Sequence, residues 1–157
     1  MKDNQYPGYA ALAIALISIV PILAGGCGDS SSHSTPVDQS QTLSNLGELG
    51  LAVNQYTIDY DEHMPIATNS TQFKAELMPY TRDSSVFVDS NTNLPLVWNA
   101  SLAGKVITSY PDYSVVVMVY DQDPPVDNSI PLVLLSGKHE TVTDAEFAQL
   151  KTTSGIQ

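Results

Sequence analysis

Four oxygen-bearing side chains in one short segment could hold a metal ion. Asp121, Asp123, Asp127 and Asn128 lie in a turn-rich stretch that also contains two prolines. Calcium takes about six to eight oxygen ligands at flexible spacing, and carboxylates and amide carbonyls supply them. The segment lacks the glycine and the closing glutamate of an EF-hand loop. Two interpretations stay open: a solvated loop, which we favour, and a calcium site.

A second group of acids lies where the first predicted helix ends. Asp59, Asp61 and Glu62 fall at the C-terminal end of a helical pattern over residues 39–61. That end of a helix carries partial negative charge, so carboxylates there are unfavourable unless a donor or a cation offsets them. We expect backbone N–H groups of the turn before Pro65 to do so, with a basic side chain or a bound cation as alternatives.

The histidines and serines show no catalytic spacing. His33, His63 and His139 are far apart, whereas zinc ligands usually come in closer pairs. No serine lies in a nucleophile-elbow sequence. We therefore do not predict an enzyme. A hydrolase stays open as a third hypothesis, because the members of a catalytic triad need not be close in the chain.

The single cysteine, Cys27, follows an apolar run over residues 10–23 and the small residues Ala24, Gly25 and Gly26. The run has about 14 residues, short of the roughly 20 that span a membrane, but it suits an export signal. A polar, Ser-rich stretch follows. This pattern resembles a bacterial lipoprotein signal, which implies that Cys27 carries acyl chains such as palmitate.

The predicted organisation follows from that signal. Residues 1–26 form a signal peptide, residues 27–38 a flexible tether, and residues 39–157 one folded domain. The resemblance implies a lipid-anchored protein of the bacterial cell envelope, in the outer membrane or periplasm or at the cell surface. An uncleaved membrane anchor is the alternative, and it also places the domain outside the cytoplasm.

The charge balance excludes one class of partner. The chain has six Lys and Arg against 17 Asp and Glu, a net charge of −11. Such a surface repels nucleic acid and anionic headgroups, and no basic cluster offsets it. We predict no nucleic-acid partner, and contact with the membrane through the lipid anchor.

Helical periodicity is clearest over residues 39–61, where apolar and small residues recur at alternating three- and four-residue spacing. The stripe consists of Leu43, Leu46, Gly50, Val53, Thr57 and Tyr60, widened by Leu49, Ala52 and Tyr56. Gly47 and Gly50 each cost about 1 kcal/mol of helix stability relative to alanine. Because glycines on a buried helix face let another backbone come close, we expect a sheet to pack there.

The remaining elements are shorter. We predict a helix at 71–78, strands at 86–88, 94–98 and 114–120, a hairpin of 130–135 with 139–142, and a last helix opened by a capping box at 143–146. The strand at 114–120 is apolar on both faces and therefore central. The expected fold class is α+β: a long N-terminal helix packed on a small antiparallel sheet, with short accessory helices.

Residues 45–65 resemble the conserved helix of type II secretion pseudopilin-like proteins. The shared pattern is Asn-Leu, Leu-Gly-Leu-Ala, Tyr, Asp-Tyr-Asp-Glu and Pro, and weaker collinear matches extend the similarity over residues 43–151. Ala13 replaces the family's membrane-helix glutamate, Asp89 replaces its cysteine, and Val126 and Ser136 replace its late His and Asp. The resemblance implies a pilin-like head moved onto a lipid anchor.

The expected function is that of an exported, membrane-anchored structural or interaction protein, accessory to type II secretion or a pilus-like assembly. Secretion-system or pilin-like proteins would be its partners, bound at the sheet edge or at the acidic loop. The alternative is a lipoprotein binding module that holds calcium or a small solute through residues 121–128.

Overall fold

The computed structural model describes residues 39–122 and 129–157. In chain order the helices are α1 (Ser40–Asp59), α2 (Ser70–Leu77) and α3 (Asp144–Ser154), and the strands are β1 (Val97–Trp98), β2 (Val117–Tyr120), β3 (Ser129–Leu134) and β4 (His139–Thr143). The strands form one antiparallel sheet in the order β1-β2-β3-β4. The predicted α+β class is confirmed.

Helix α1 packs on the sheet through the side that carries its glycines. A Cβ placed on Gly50 would lie 3.1 Å from Cγ2 of Val133 in β3, and one on Gly47 would lie 3.1 Å from the ring of His139 in β4. Both distances are shorter than ordinary van der Waals contact, so no larger residue fits without a shift. The sheet therefore packs where the glycine pair predicts it.

The sheet is buried on both faces in its two middle strands. All four residues of β2 are buried, as the apolar run at 114–120 predicts. In β3, Val133 joins an apolar cluster with the buried side of α1, whereas its neighbours Leu132 and Leu134 join a second cluster with Phe147 of α3. Since successive side chains of a strand point to opposite faces, the two clusters lie on opposite sides of the sheet.

Of the predicted strands, the one at 86–88 is wrong and the one at 94–98 is shorter in the structure. Residues 86–88 belong mainly to a 3₁₀ turn (Ser84–Phe87), because the side chain of Asp83 accepts hydrogen bonds from the backbone N–H and hydroxyl of Ser85. The predicted strand at 94–98 contributes only β1, which is an edge strand as Pro95 requires.

The central strand is also shorter than predicted. Tyr113–Val115 forms a 3₁₀ turn whose cap is Asp112, so β2 begins only at Val117. The last helix begins as predicted: Thr143 and Glu146 form a reciprocal capping box, with the Thr143 N–H donating to the Glu146 carboxylate at 2.8 Å.

A buried carboxylate, that of Asp89, bonds α1 on the flank away from Gly47 and Gly50. Asp89 is only 3 % exposed, and it accepts hydrogen bonds from the Thr42 hydroxyl of α1 (2.6 Å), from the backbone N–H and hydroxyl of Thr92, and from the backbone N–H of Asn91. Burial raises the pKa of Asp89, but these four donors outweigh it, so the pKa of this carboxyl falls below its ordinary value. The charged form therefore stabilises the fold.

Replacing Asp89 with asparagine should lower the free energy of unfolding by about 1–3 kcal/mol at pH 7, because hydrogen bonds to a charged acceptor are lost. A group with a lowered folded pKa stabilises fully above its unfolded pKa, near 4, and loses that contribution as pH falls through the folded value. Urea denaturation between pH 2 and 7 should show a shallower acid-side loss of stability in Asp89→Asn. If the free energy of unfolding falls with pH at the same slope in both proteins, the charged form of Asp89 does not stabilise the fold.

The two glycines of α1 should respond oppositely to alanine. Gly50→Ala should destabilise the protein by about 1 kcal/mol, because Val133 is fully buried and cannot move aside, and this strain exceeds the gain in helix propensity. Gly47→Ala should stabilise it by up to about 1 kcal/mol, because the exposed His139 ring can rotate away. Urea denaturation of the two variants side by side tests this, and a stabilised Gly50→Ala would contradict it.

Candidate functional site

A groove of about 580 Å³ runs alongside α1, between the helix, the turn after β3 and the segment that leads into β2. Helix α1 supplies one wall from Ser44 to Thr57. The other lining residues are Ile107, Tyr113, Met118, Leu135, Ser136, Gly137 and His139. The volume falls in the range of ordinary ligand-binding clefts.

The inner surface of the groove is mainly apolar. Met118 and Leu135 are buried beneath it, and Ile107 and Tyr113 are half-buried at its side. Leu51 lines it from α1 and is 71 % exposed. Ile58, seven residues further on, is 68 % exposed on the same face of the helix. The helix therefore presents large apolar side chains to solvent beside an apolar depression.

One carboxylate lines the groove, and two more lie close to its lining residues in space or in sequence. Glu48 lines the groove directly. The Glu62 carboxylate lies 3.4 Å from the hydroxyl of Thr108, next to Ile107. Asp112 precedes Tyr113, and hydrogen bonds from the Ser114 hydroxyl and N–H lower the pKa of its carboxyl. No lysine or arginine is among the described residues that line the groove.

Two of the three acids at the end of α1, Asp59 and Glu62, accept hydrogen bonds from hydroxyl groups. The Tyr80 hydroxyl donates to Asp59 at 3.0 Å, and desolvation together with this hydrogen bond raises the pKa of Tyr80 to about 12. Asp61 and Glu62 have positive φ angles of 51° and 65°, which turn the chain out of the helix. Among the described residues, no backbone N–H group bonds these carboxylates; the Tyr80 hydroxyl bonds Asp59 and the Thr108 hydroxyl bonds Glu62 instead.

Of the predicted calcium ligands, only Asp121 lies within the described residues; Asp123, Asp127 and Asn128 fall outside them. Asp121 is 7 % exposed and follows the end of β2, where its N–H donates to the carbonyl of Pro131. Across residues 39–122 and 129–157, no group of three or more His, Cys, Asp or Glu side chains is arranged to hold a metal ion. Cys27, the predicted lipidation site, also lies outside the described residues.

Sequence reasoning missed the groove. It placed any partner at the sheet edge or the acidic loop, and it assigned no role to Leu51 or Ile58. The usable signal was their spacing: two large apolar residues seven apart on the otherwise polar side of a helix. Tyr113 and Ile107 carried no such signal, because only the folded chain brings their 3₁₀ turns next to α1.

Comparisons with protein-family models, with curated proteins and with solved structures found no match to this chain. Among the helices of the described residues, none combines the length and the hydropathy that crossing a bilayer requires.

Truncating Leu51 should leave the fold intact. Leu51→Ala should change the free energy of unfolding by less than about 0.5 kcal/mol, because the side chain is exposed. Leu49→Ala, two positions away in the core, should cost about 2–5 kcal/mol. Urea denaturation measures both, and a large loss in Leu51→Ala would show that Leu51 supports the core.

Proposed function

We propose that this chain is an exported, lipid-anchored protein of the bacterial envelope whose domain acts by binding another protein. The observation that carries this proposal is the exposed Leu51 at the wall of a groove with an apolar inner surface, with Ile58 also exposed two turns further along α1. Burial of Leu51 and the apolar lining by a partner would be favourable, and a groove with an apolar inner surface is the usual form of a binding site. The proposal assigns no enzymatic activity.

The sequence supplies the anchor in this proposal. A short apolar run, small residues and Cys27 resemble a lipoprotein signal, and a polar tether of residues 27–38 separates the cysteine from the domain. An acylated cysteine would keep the domain at a membrane surface without a spanning helix. Two or more acyl chains are needed for stable anchoring, and bacterial lipoprotein processing would provide them.

The pseudopilin-like pattern of residues 45–65 suggests the setting. An amphipathic helix that packs on an antiparallel sheet is consistent with a pilin-like head, and the resemblance favours an accessory of type II secretion or of a pilus-like assembly. Secretion-system or pilin-like proteins are then the proposed partners. The lipid anchor in place of the prepilin signal favours a protein that binds such an assembly.

Calcium binding through residues 121–128 is the second candidate function. It is favoured by Asp121, an almost fully buried acid at the start of that segment. Calorimetric titration with calcium chloride separates the two. The calcium site would be supported if calcium gave heat of binding and raised the melting temperature of the unmodified chain, and if both effects disappeared in Asp121→Asn. A flat titration trace with the unmodified chain would exclude the site.

Mass spectrometry of the mature protein tests the anchor. We expect the chain to begin at Cys27, with acyl chains on its sulfur and amino group, and we expect Cys27→Ser to leave the membrane fraction. The matched control is Ser30→Ala in the tether, which should leave both the modification and the membrane association unchanged. An unmodified Cys27 within an intact N-terminal segment would contradict the proposal.

A further inference from the structure

We propose that the groove beside α1 binds a short amphipathic segment of a partner protein that carries apolar side chains together with lysine or arginine. This inference rests on the proposed interaction function and names the chemistry of the partner. Its occupant is specified by three features of the described residues: the apolar inner surface, the acidic surroundings and the length of the groove.

The apolar component follows from the burial pattern. Leu51 stands 71 % exposed at the wall of a groove over buried Met118 and Leu135. An inserted apolar side chain would contact Leu51, Ile107 and Tyr113 together and remove them from water. Buried aromatic and aliphatic anchors of this kind dominate binding energy in protein interfaces.

The basic component follows from charge complementarity. Glu48 is the one acidic side chain among the described residues that line the groove, no described lysine or arginine lines it, and the chain as a whole has a net charge of −11. A partner with positive side chains at the edges of its apolar face would place one of them near Glu48 and would be attracted by the net negative charge of the chain. Opposite charges at an interface rim speed encounter and exclude acidic competitors.

Two other occupants fit less well. A second copy of this chain carries the same net charge of −11, so two copies repel each other. The tether at residues 28–37 contains one valine as its only large apolar residue, and it also contains Asp29. Neither supplies an apolar and basic surface.

The length of the groove suits a segment of about two to four helical turns. The lining residues of α1 run from Ser44 to Thr57, and at about 1.5 Å per residue this wall is roughly 20 Å long. An amphipathic helix laid in such a groove presents anchors three, four and seven residues apart.

The test uses the full chain in phosphatidylcholine nanodiscs, with empty nanodiscs as the blank. The probe is a fluorescein-labelled 12-residue synthetic helix of leucine and lysine, and binding is read by fluorescence anisotropy. Two control peptides replace every leucine with serine or every lysine with glutamate. We expect the leucine–lysine peptide to bind and both control peptides to bind at least about tenfold more weakly.

Matched variants locate the binding. Leu51→Ser should raise the dissociation constant of the peptide about tenfold. Leu94 is an exposed leucine outside the groove, and Leu94→Ser should change the dissociation constant less than about twofold. Glu48→Gln should weaken binding and reduce its salt dependence, whereas Asp144→Asn, on α3, should not.

The inference is overturned if the leucine–lysine peptide fails to bind. It is also overturned if the serine–lysine peptide binds equally well, since binding is then general attraction to an acidic protein, or if Leu51→Ser binds like the unmodified chain. The state of Cys27, measured by mass spectrometry, shows whether the proposed lipid anchor fails. Peptide binding shows whether the proposed groove site fails, so the two failures are distinguishable.

Discussion

The close approach of α1 to β3 is the constraint on which the other contacts of the domain depend. Gly50 has no Cβ, so the methyl group of Val133 can sit against the helix backbone. At this separation Leu46, Leu49 and Val53 reach the sheet and pack in one cluster with Val133. On the other flank, Thr42 and Asn45 bind the segment around Asp89 through hydrogen bonds. The helix is therefore fixed by apolar contact on one side and by polar contact on the other.

The regular elements could be predicted because their signals are local. The periodicity of α1, the hairpin of β3 and β4, and the capping box at Thr143 depend on residues close together in the chain. Two of the errors, at 86–88 and 114–116, have one physical cause: Asp83 and Asp112 satisfy backbone N–H groups with their side chains, which favours 3₁₀ turns where the apolar pattern favoured strands. The burial of Asp89 could not be read from sequence, because its Thr42 donor lies 47 residues away.

The same helix serves the core and the groove. Its glycines contact β3 and β4 and also lie at the edge of the groove, and Leu51 next to them extends the groove wall towards solvent. The shape of the groove is therefore set by how closely the helix approaches β3. The groove could not be predicted from the sequence, because the half-buried Ile107 and Tyr113 that line it with Leu51 belong to turns that only the folded chain positions.

The contact between Gly50 and Val133 can be observed directly by nuclear Overhauser spectroscopy on a sample labelled at valine methyl groups. The account predicts strong cross-peaks from the α protons of Gly50 to the γ2 methyl group of Val133, and from the α protons of Gly47 to the ring of His139. Absence of the first cross-peak in a folded protein, with the Val133 methyl groups contacting other residues instead, would contradict the docking of α1 on the sheet and with it the groove.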